Sequence, residues 1–323
     1  MEFTRLGRTG LTVSRLCLGT MNFGVHTEEA DAHRIMDTAS ELGINLFDTA
    51  DIYGWPAQRG LTETIIGNWL ARGGGRREKT VIATKLYMDM GDGPNEGKLS
   101  ALHIRRAVDA SLKRLQTDYI DLYQMHHVDR DTPWDEIWQA MEVLVAQGKI
   151  IYVGSSNFAG WHLAQAQETA KARNFLGLAS EQSLYNLLER KLELEVIPAV
   201  QNYGLGLMPW SPLHSGLLGG VLRKEREGVR RTVARAAAAL VAKRDAIQAY
   251  EDLAAEIGHE PGDIALAWLL AQPAVTAPVV GPRTLDQLHT SVRALELTLE
   301  PKVLTRLDEI FPGYRPAPEE YAW

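Results

Sequence analysis

Short apolar runs alternate with longer amphipathic segments along most of the chain. The runs have the length and β-branched content of buried strands, whereas the longer segments repeat their apolar positions every three or four residues, as helices do. Strands are predicted near residues 15–19, 44–48, 80–85, 119–125, 149–154, 176–181, 205–210 and 276–280. Helices are predicted near residues 28–42, 61–71, 100–115, 134–147, 160–173, 189–202, 245–257, 262–271, 284–294 and 301–310. This alternation predicts an α/β fold with a parallel sheet covered by helices, and eight strand–helix pairs favour a closed (β/α)₈ TIM barrel over an open sheet.

Two further features complete the predicted architecture. Residues 3–6 and 11–14 flank Gly7-Arg8-Thr9-Gly10, which predicts an N-terminal β-hairpin closing the floor of the barrel. The longest pieces without a periodic pattern are 86–99 and 211–244. We expect them to form long loops at the C-terminal face, where barrel loops carry substrate recognition. All 323 residues are expected to form one barrel domain.

The composition is typical of an intracellular globular protein. Hydrophobic residues make up 45% of the chain, which is enough for a large core. The single cysteine, Cys17, lies in an apolar run, so we expect it to be buried, with no intrachain disulfide and no cysteine-based metal site. The first residues lack a basic segment before an apolar core, and no stretch reaches transmembrane length. We therefore expect a cytoplasmic protein that does not enter a membrane.

The charge is distributed unevenly. A formal net charge of −7 argues against a nucleic-acid-binding surface. Between Leu222 and Arg244, however, eight lysines and arginines face only two glutamates. This basic segment is either a solvated helix or loop, or a flap that attracts the phosphates of a cofactor or of a diphosphate-containing substrate.

Four polar side chains lie where a barrel carries its chemistry. Asp48, Lys85 and His126 each end a predicted strand, and Tyr53 follows Asp48 by five residues. The active sites of such barrels lie at the carboxyl ends of the strands, so these side chains are predicted to meet there.

Together the four side chains suit a carbonyl reduction or its reverse. A phenol is a poor acid at neutral pH, but an ammonium beside Tyr53 favours the phenolate and is expected to lower the pKa of the phenol. The carboxylate of Asp48 would hold Lys85 charged and in place, and the imidazole of His126 would position a substrate oxygen. In such a reaction Tyr53 would protonate the carbonyl oxygen of the substrate. None of these residues supplies a hydride, so a cofactor must.

Other interpretations of the same residues stay open. Taken singly, each side chain has a structural explanation, such as a solvated charge, core packing or a turn cap. Lys85 would also suit the Schiff base of a phosphate-binding isomerase or aldolase. His126 and His127 point different ways on a strand and have no third ligand at a suitable spacing, so no metal site is predicted.

Further segments resemble the signatures of the aldo-keto reductase family, and the match covers nearly the whole chain. They are residues 48–54 followed by Glu63, Gly154-Ser155-Ser156-Asn157-Phe158, Trp210-Ser211-Pro212-Leu213 and residues 281–288. The segments occur in the order in which the family has them. The resemblance implies a TIM-barrel oxidoreductase in which Tyr53 is the general acid, tuned by Lys85 and Asp48, and His126 orients the carbonyl.

The same resemblance implies NADPH or NADP⁺ as cofactor. Ser156, Asn157 and Gln182 would hold the nicotinamide carboxamide. Trp210 would stack on the nicotinamide ring, and Arg283 would meet the 2′-phosphate. The remaining positions implied along the cofactor, including the pyrophosphate and adenine ends, are Gly19, Thr20, Met21, Ser211, Pro212, Leu213, Gly216, Leu217, Gly281 and Gln287.

Within the family the chain is most similar to a bacterial subgroup that includes the NDP-hexose 2,3-enoyl reductases of deoxysugar biosynthesis. That similarity implies a nucleotide-linked keto-deoxysugar as substrate, with Trp55 and His127 in its pocket. His127 departs from a common tryptophan of the family, and Val221 and Ser291 depart from its adenosine-binding pattern. A general reductase acting on small carbonyl compounds and a non-catalytic, cofactor-sensing barrel are the alternatives. A monomer and a homo-oligomer are equally compatible with the sequence.

Overall fold

The computed structural model of the chain describes residues 1–227 and 234–322. Its strands are β1 (Phe3–Arg5), β2 (Thr12–Ser14), β3 (Cys17–Gly19), β4 (Leu46–Asp48), β5 (Val81–Leu86), β6 (Ile120–Met125), β7 (Ile150–Ser156), β8 (Leu178–Gln182), β9 (Gly206–Leu207) and β10 (Val279–Val280). The last eight form one parallel sheet in the order β10-β3-β4-β5-β6-β7-β8-β9. Each strand thus pairs with its neighbour in the chain, and the final strand returns to the first.

The sheet closes on itself through a short connection. Leu207 of β9 forms a parallel bridge with Val275, and its carbonyl oxygen accepts a hydrogen bond from the amide of Thr276 at 2.8 Å. The amide of Val279 donates to the carbonyl of Pro209 at 2.8 Å. The predicted (β/α)₈ TIM barrel is therefore confirmed, and the carboxyl ends of all eight strands meet at one face.

The helices are α1 (Glu29–Glu41), α2 (Leu61–Leu70), α3 (Arg76–Lys79), α4 (Ala101–Leu115), α5 (Trp134–Ala146), α6 (Gly160–Ala172), α7 (Val196–Tyr203), α8 (Val221–Arg226), α9 (Ala234–Ala242), α10 (Arg244–Ile257), α11 (Pro261–Ala271), α12 (Leu285–Arg293) and α13 (Pro301–Ile310). Their apolar faces pack against the outward-facing strand residues, such as Phe47 against Trp69. The resulting core lies between the sheet and the helices, as expected of a strand–helix alternation.

The antiparallel hairpin of β1 and β2 fills the amino-terminal end of the barrel. Leu6 and Val13 are fully buried and pack in one cluster with inward-facing strand residues, including Cys17 and Leu46. Because the cluster occupies this end, the opposite end of the barrel is left for polar side chains.

The predicted helices and strands differ from the structure mainly in length and in two segments. The expected helix at 189–202 is a 3₁₀ turn, Lys191–Leu194, followed by α7. The piece 211–244, expected to be a loop, contains α8 and α9. Its Ala-rich part forms α9 because alanine favours the helical conformation. In the described part of the chain, no helix has both the length and the apolar character needed to cross a membrane.

Candidate active site

The carboxyl ends of β4 and β5 bring Asp48 and Lys85 together inside the barrel. Leu46 and Ala83, two residues earlier on the same strands, belong to the interior cluster. Side chains alternate along a strand, so Asp48 and Lys85 point inward too. The ammonium of Lys85 lies 2.6 Å from Oδ2 of Asp48, and Lys85 is completely buried.

All three protons of the Lys85 ammonium have a fixed direction. One is donated to the carboxylate of Asp48, one to the carbonyl oxygen of Thr49 at 2.9 Å and one to the hydroxyl oxygen of Tyr53 at 3.2 Å. The phenol oxygen is therefore the acceptor in its contact with lysine. Its own proton is not used in this contact and stays available for another acceptor, which is what a proton donor needs.

The pKa of Tyr53 differs from the sequence-based expectation. Burial raises the pKa of the Tyr53 phenol above its usual value, and Lys85 opposes this rise while Asp48 adds to it. Lys85 was expected to bring that pKa below the usual value, but desolvation outweighs the charge of the neighbouring ammonium. Lys85 itself stays charged: burial alone would lower the pKa of the ammonium, but Asp48 and Tyr53, through their charges and hydrogen bonds, together raise it above its usual value. Tyr53 is consequently protonated at neutral pH.

His126 directly follows β6 and completes the group of four. Its ring meets the ring of Tyr53 edge-on, with centroids 6.0 Å apart. Burial, with smaller contributions from Lys85 and His127, lowers the pKa of His126 to about 2. The imidazole is therefore neutral throughout the physiological range, and it can donate or accept one hydrogen bond without carrying a charge.

An aromatic wall extends from His126 towards solvent. His127 stacks on His126 with centroids 5.6 Å apart, and Tyr87 meets His127 edge-on at 5.5 Å. Tyr87 has a φ of 146°, an uncommon conformation for a side-chain-bearing residue. Trp55 follows Tyr53 by two residues and is 60% exposed. His127, predicted for the substrate pocket, thus lies beside these four residues, whereas the side chain of Trp55 is largely exposed to solvent.

The carboxyl ends of β7 and β8 carry a set of linked polar side chains, which we call the amide cradle: Ser156, Asn157 and Gln182. The backbone amide of Asn157 donates to the backbone carbonyl oxygen of Gln182 at 3.0 Å, and the hydroxyl of Ser156 donates to the same oxygen at 2.8 Å. The side-chain nitrogen of Gln182 donates to Oδ1 of Asp48 at 2.8 Å. The amide cradle is therefore tied directly to the carboxylate that holds Lys85.

Asn157 also links the amide cradle to Trp210. The indole nitrogen of Trp210 donates to Oδ1 of Asn157 at 3.0 Å, and the side-chain nitrogen of Asn157 donates to the carbonyl of His126 at 3.2 Å. Trp210 is half-buried, so its ring orientation is fixed while part of its surface stays accessible. A fixed, partly exposed indole beside an amide cradle suits the binding of a flat, amide-bearing ring.

The segment after Trp210 has an unusual backbone. Ser211, His214, Ser215 and Gly216 all have positive φ values, of 55°, 45°, 56° and 87°. Such conformations turn successive amides towards one side, which is the geometry of anion-binding loops. Of the residues in this segment that the family resemblance implies for cofactor binding, Pro212 is buried and Leu213 and Gly216 are half-buried. The side chain of Leu217 packs in a separate apolar cluster, so only its backbone can approach a ligand.

The segment after β10 lies against the segment after β3. The side-chain amide of Asn22 donates to the carbonyl of Gly281 at 2.8 Å and accepts from Nε of Arg283 at 3.3 Å. The side chain of Gln287 accepts from the amide of Arg283 at 2.8 Å. Arg283 is exposed. Its guanidinium is thereby oriented by protein groups while facing solvent.

The three residues predicted at the end of β3 play different parts. Gly19 lies so close to β10 that an added Cβ would be 2.8 Å from a methyl group of Val279. Thr20 is buried, and its hydroxyl donates to the carbonyl of Asp48 at 2.9 Å, which fixes the end of β4. Met21 is exposed. Of the three, only Met21 presents its side chain to solvent.

The basic segment, 222–244, is only partly free to attract phosphates. Arg223 pairs with Glu260 at 2.5 Å, and Arg226 donates to a glutamine oxygen at 3.3 Å. Arg230 and Arg231, which the flap interpretation also uses, lie outside the described residues.

Sequence reasoning missed three groups of the site, of which Gln124 and Glu181 are buried and Asn22 is half-buried. Gln124 donates to Oδ1 of Asp48 at 3.0 Å, Glu181 lies under the amide cradle, and Asn22 bridges the ends of two strands. Gln124 precedes His126 by two residues and pairs in register with Lys85. The period of a strand would therefore have indicated Gln124, whereas the other two depend on pairings between distant segments.

Comparison with known proteins places these residues in a family context. The family model described as "Aldo/keto reductase family" matches residues 15–311. The chain is 55% identical to the uncharacterized oxidoreductase YrpG of Bacillus subtilis (strain 168), and the match covers 100% of both chains. It is 34% identical to versiconal hemiacetal acetate reductase of Aspergillus parasiticus, over 98% of this chain and 100% of the relative. A probable voltage-gated potassium channel subunit beta of Arabidopsis thaliana is 31% identical, over 99% of this chain and 100% of the relative.

Proposed function

The chain belongs to the aldo/keto reductase family, and we propose that it is an NADPH-dependent carbonyl reductase with Tyr53 as proton donor. The family and the oxidoreductase relatives support an oxidoreductase that acts on small molecules. The observation that carries the proposal is the chain of contacts from Asp48 through Lys85 to Tyr53. A phosphate-binding aldolase would need a lysine free to attack a carbonyl, whereas Lys85 is buried and charged.

The residues present fit a nicotinamide dinucleotide. The amide cradle, 156–157 with Gln182, offers side-chain donors and acceptors for a carboxamide, and Trp210 offers a fixed indole surface beside it. The positive-φ turn at 211–216 suits a pyrophosphate, and the oriented guanidinium of Arg283 suits a 2′-phosphate. When bound, this cofactor supplies the hydride that no side chain of the site supplies.

Tyr53 and His126 then interact with the carbonyl oxygen of the substrate. The hydroxyl proton of Tyr53 is available to the substrate oxygen, because Lys85 contacts the phenol oxygen as a donor. As negative charge develops on the substrate oxygen, Tyr53 gives up its proton, and the adjacent ammonium stabilises the phenolate that results. Neutral His126 supplies a second hydrogen bond that orients the same oxygen without competing as an acid.

For the substrate we propose a nucleotide-linked keto-deoxysugar that enters between the His127 wall and the rim at Trp55. The sequence motifs that resemble those of the deoxysugar reductases motivate this choice, and the basic segment would suit a diphosphate, since remote binding energy from a nucleotide can be used at the reacting carbon. The test compares kcat/KM for a dTDP-linked keto-deoxyhexose and for 4-nitrobenzaldehyde, in the wild type and in a double variant with Arg230→Ala and Arg231→Ala. A preference for the nucleotide sugar that falls in the variant is expected. If 4-nitrobenzaldehyde is the better substrate, the protein is a general carbonyl reductase.

Cofactor choice is tested at Arg283. We expect NADPH to bind more tightly than NADH, because a charge-assisted contact with the 2′-phosphate is worth ~1.5–3 kcal/mol. Arg283→Ala should remove this difference and leave NADH affinity unchanged. Titration of both cofactors against tryptophan fluorescence measures it, with exposed Arg34 replaced by Ala as the control. Equal affinities for the two cofactors in the wild type contradict the proposal.

A further inference from the structure

Glu181, the penultimate residue of β8, is completely buried and lies under the amide cradle. Among the side chains described for residues 1–227 and 236–322, no lysine, arginine or histidine forms an ion pair with its carboxyl group. A buried carboxylate without a cation is expensive unless hydrogen bonds satisfy it. Glu181 therefore needs an explanation beyond packing.

The hydrogen bonds of Glu181 come from both strands that carry the amide cradle. Its carboxyl oxygens accept from the hydroxyl of Ser155, from the hydroxyl of Ser183 at 2.5 Å and from the backbone amide of Phe158 at 3.1 Å. One side chain thus joins the end of β7, the turn that follows it and the residue after β8.

Each of these donors is the immediate neighbour of a cradle residue. Ser155 precedes Ser156, Phe158 follows Asn157, and Ser183 follows Gln182. Asn157 between them has a φ of 60°, a left-handed conformation that its surroundings must hold.

We propose that Glu181 is a positioning residue that holds the amide cradle in shape for the nicotinamide carboxamide, and that it does so as the carboxylate. The inference rests on the proposed function, since the cradle matters only if a nicotinamide binds. A carboxylate accepts at both oxygens, so it can hold all three donors at once. When the carboxyl group is protonated, one oxygen becomes a donor and the serine hydroxyl facing it must turn round and accept, and the contacts lose the strength that the negative charge gives them.

The ionisation of this group falls within a testable range. Burial raises the pKa of Glu181 to about 7, and the hydrogen bonds from Ser155, Ser183 and Phe158 oppose the rise. The three groups that donate to the Glu181 carboxyl group, the hydroxyls of Ser155 and Ser183 and the backbone amide of Phe158, carry no charge. The affinity for the cofactor is then expected to be highest when the pH is above the pKa of Glu181, and to decline as the pH falls through that pKa.

The test is a titration of NADPH against tryptophan fluorescence in the wild type and in Glu181→Gln, across the pH range. Like the protonated acid, glutamine has one accepting oxygen. At about pH 8 the variant should bind NADPH about tenfold more weakly, since one hydrogen bond to a charged group is worth roughly that factor. Below about pH 6 the two proteins should bind alike, because Glu181 is then protonated. The titration of the cofactor's own phosphate affects both proteins equally and cancels in the ratio.

The control variant is Asp121→Asn, which alters a largely buried carboxylate that accepts from Arg77 and from the amide of Ile82 at the amino end of the strands. Its melting temperature should fall while its NADPH affinity stays that of the wild type. If Glu181→Gln does not fold, Ser183→Ala removes one of the three donors and should weaken NADPH binding by about threefold, a fraction of a full hydrogen bond.

Two outcomes overturn the inference, and they are distinguishable. Equal NADPH affinities of the wild type and the Glu181→Gln variant at every pH, or an unchanged affinity in Ser183→Ala if Glu181→Gln does not fold, overturn the positioning role alone. A wild type that does not bind NADPH at any pH overturns the proposed function and this inference with it.

Discussion

At the scale of single residues, Lys85 determines what Tyr53 can do. Its three protons go to Asp48, to the carbonyl of Thr49 and to Tyr53, so the phenol oxygen accepts from the lysine and keeps its own proton for another partner. Burial raises the pKa of the Tyr53 phenol and so keeps it protonated, while the Lys85 ammonium favours the phenolate that forms when the proton is given up. The site is therefore prepared for donating a proton and is less suited to abstracting one at neutral pH.

The protonation states predict a simple pH profile at the residue scale. Because the pKa of His126 is lowered to about 2, His126 does not titrate above that value. The pKa of Tyr53 is raised, so the acid form is lost only as the pH rises through that elevated value. With cofactor and substrate saturating, kcat for reduction should be flat over about pH 6 to 9, with no inflection at the usual histidine pKa of about 6.5. A steady-state profile measures it, and a fall in kcat centred near that value would contradict the neutral role of His126.

At the scale of elements, close contacts between helices set the frame that holds the strands. Helices α2 and α4 cross at Gly67, where an added Cβ would lie 2.1 Å from the carbonyl oxygen of Arg114 and 2.9 Å from the carbonyl carbon of Leu115. The backbones touch there because glycine has no side chain. The contact joins two helices whose strands carry Asp48 and Lys85.

Gly67→Ala should therefore destabilise the fold by ~1–3 kcal/mol, the usual cost of overpacking a well-filled interior. Chemical denaturation followed by circular dichroism measures the change. Gly10→Ala is the matched control, since an added Cβ at Gly10 meets no atom within 4 Å. Equal unfolding free energies for Gly67→Ala and the wild type would show that the two helices can move apart without penalty.

The strand–helix alternation was predictable from the sequence because each element leaves a periodic signal of its own. The ends of β4, β5 and β6 were located closely enough to pick out Asp48, Lys85 and His126. The amide cradle was implied by family resemblance, and nothing in the local pattern of residues 155–158 indicates that Glu181 joins it from the next strand. Contacts of this kind depend on register and on a bulge between Val153 and Gly154, which no periodicity reports.

At the scale of the whole molecule, the closed barrel brings together groups that are far apart in sequence. Gln182 reaches Asp48 across 134 positions of the chain, and Asn22 meets Arg283 across 261. The group of Asp48, Tyr53, Lys85 and His126, the amide cradle and the exposed guanidinium therefore depend on the same closure between β9, β10 and β3. This dependence predicts that cofactor binding stabilises the fold as a unit, since a ligand that binds only the closed barrel shifts the unfolding equilibrium.

The role of Tyr53 is tested most directly by a single-turnover experiment on the Tyr53→Phe variant. Protein preloaded with NADPH is mixed rapidly with a carbonyl substrate, and the loss of reduced-nicotinamide absorbance is followed. The wild type should oxidise its NADPH, whereas the variant should bind NADPH with unchanged affinity and react ~10²–10⁴-fold more slowly, the usual contribution of a general acid. A variant that keeps most of the wild-type rate, or a wild type that binds NADPH and oxidises none with aldehydes, ketones or nucleotide-linked keto sugars, would contradict the assignment of a carbonyl reductase with Tyr53 as its acid.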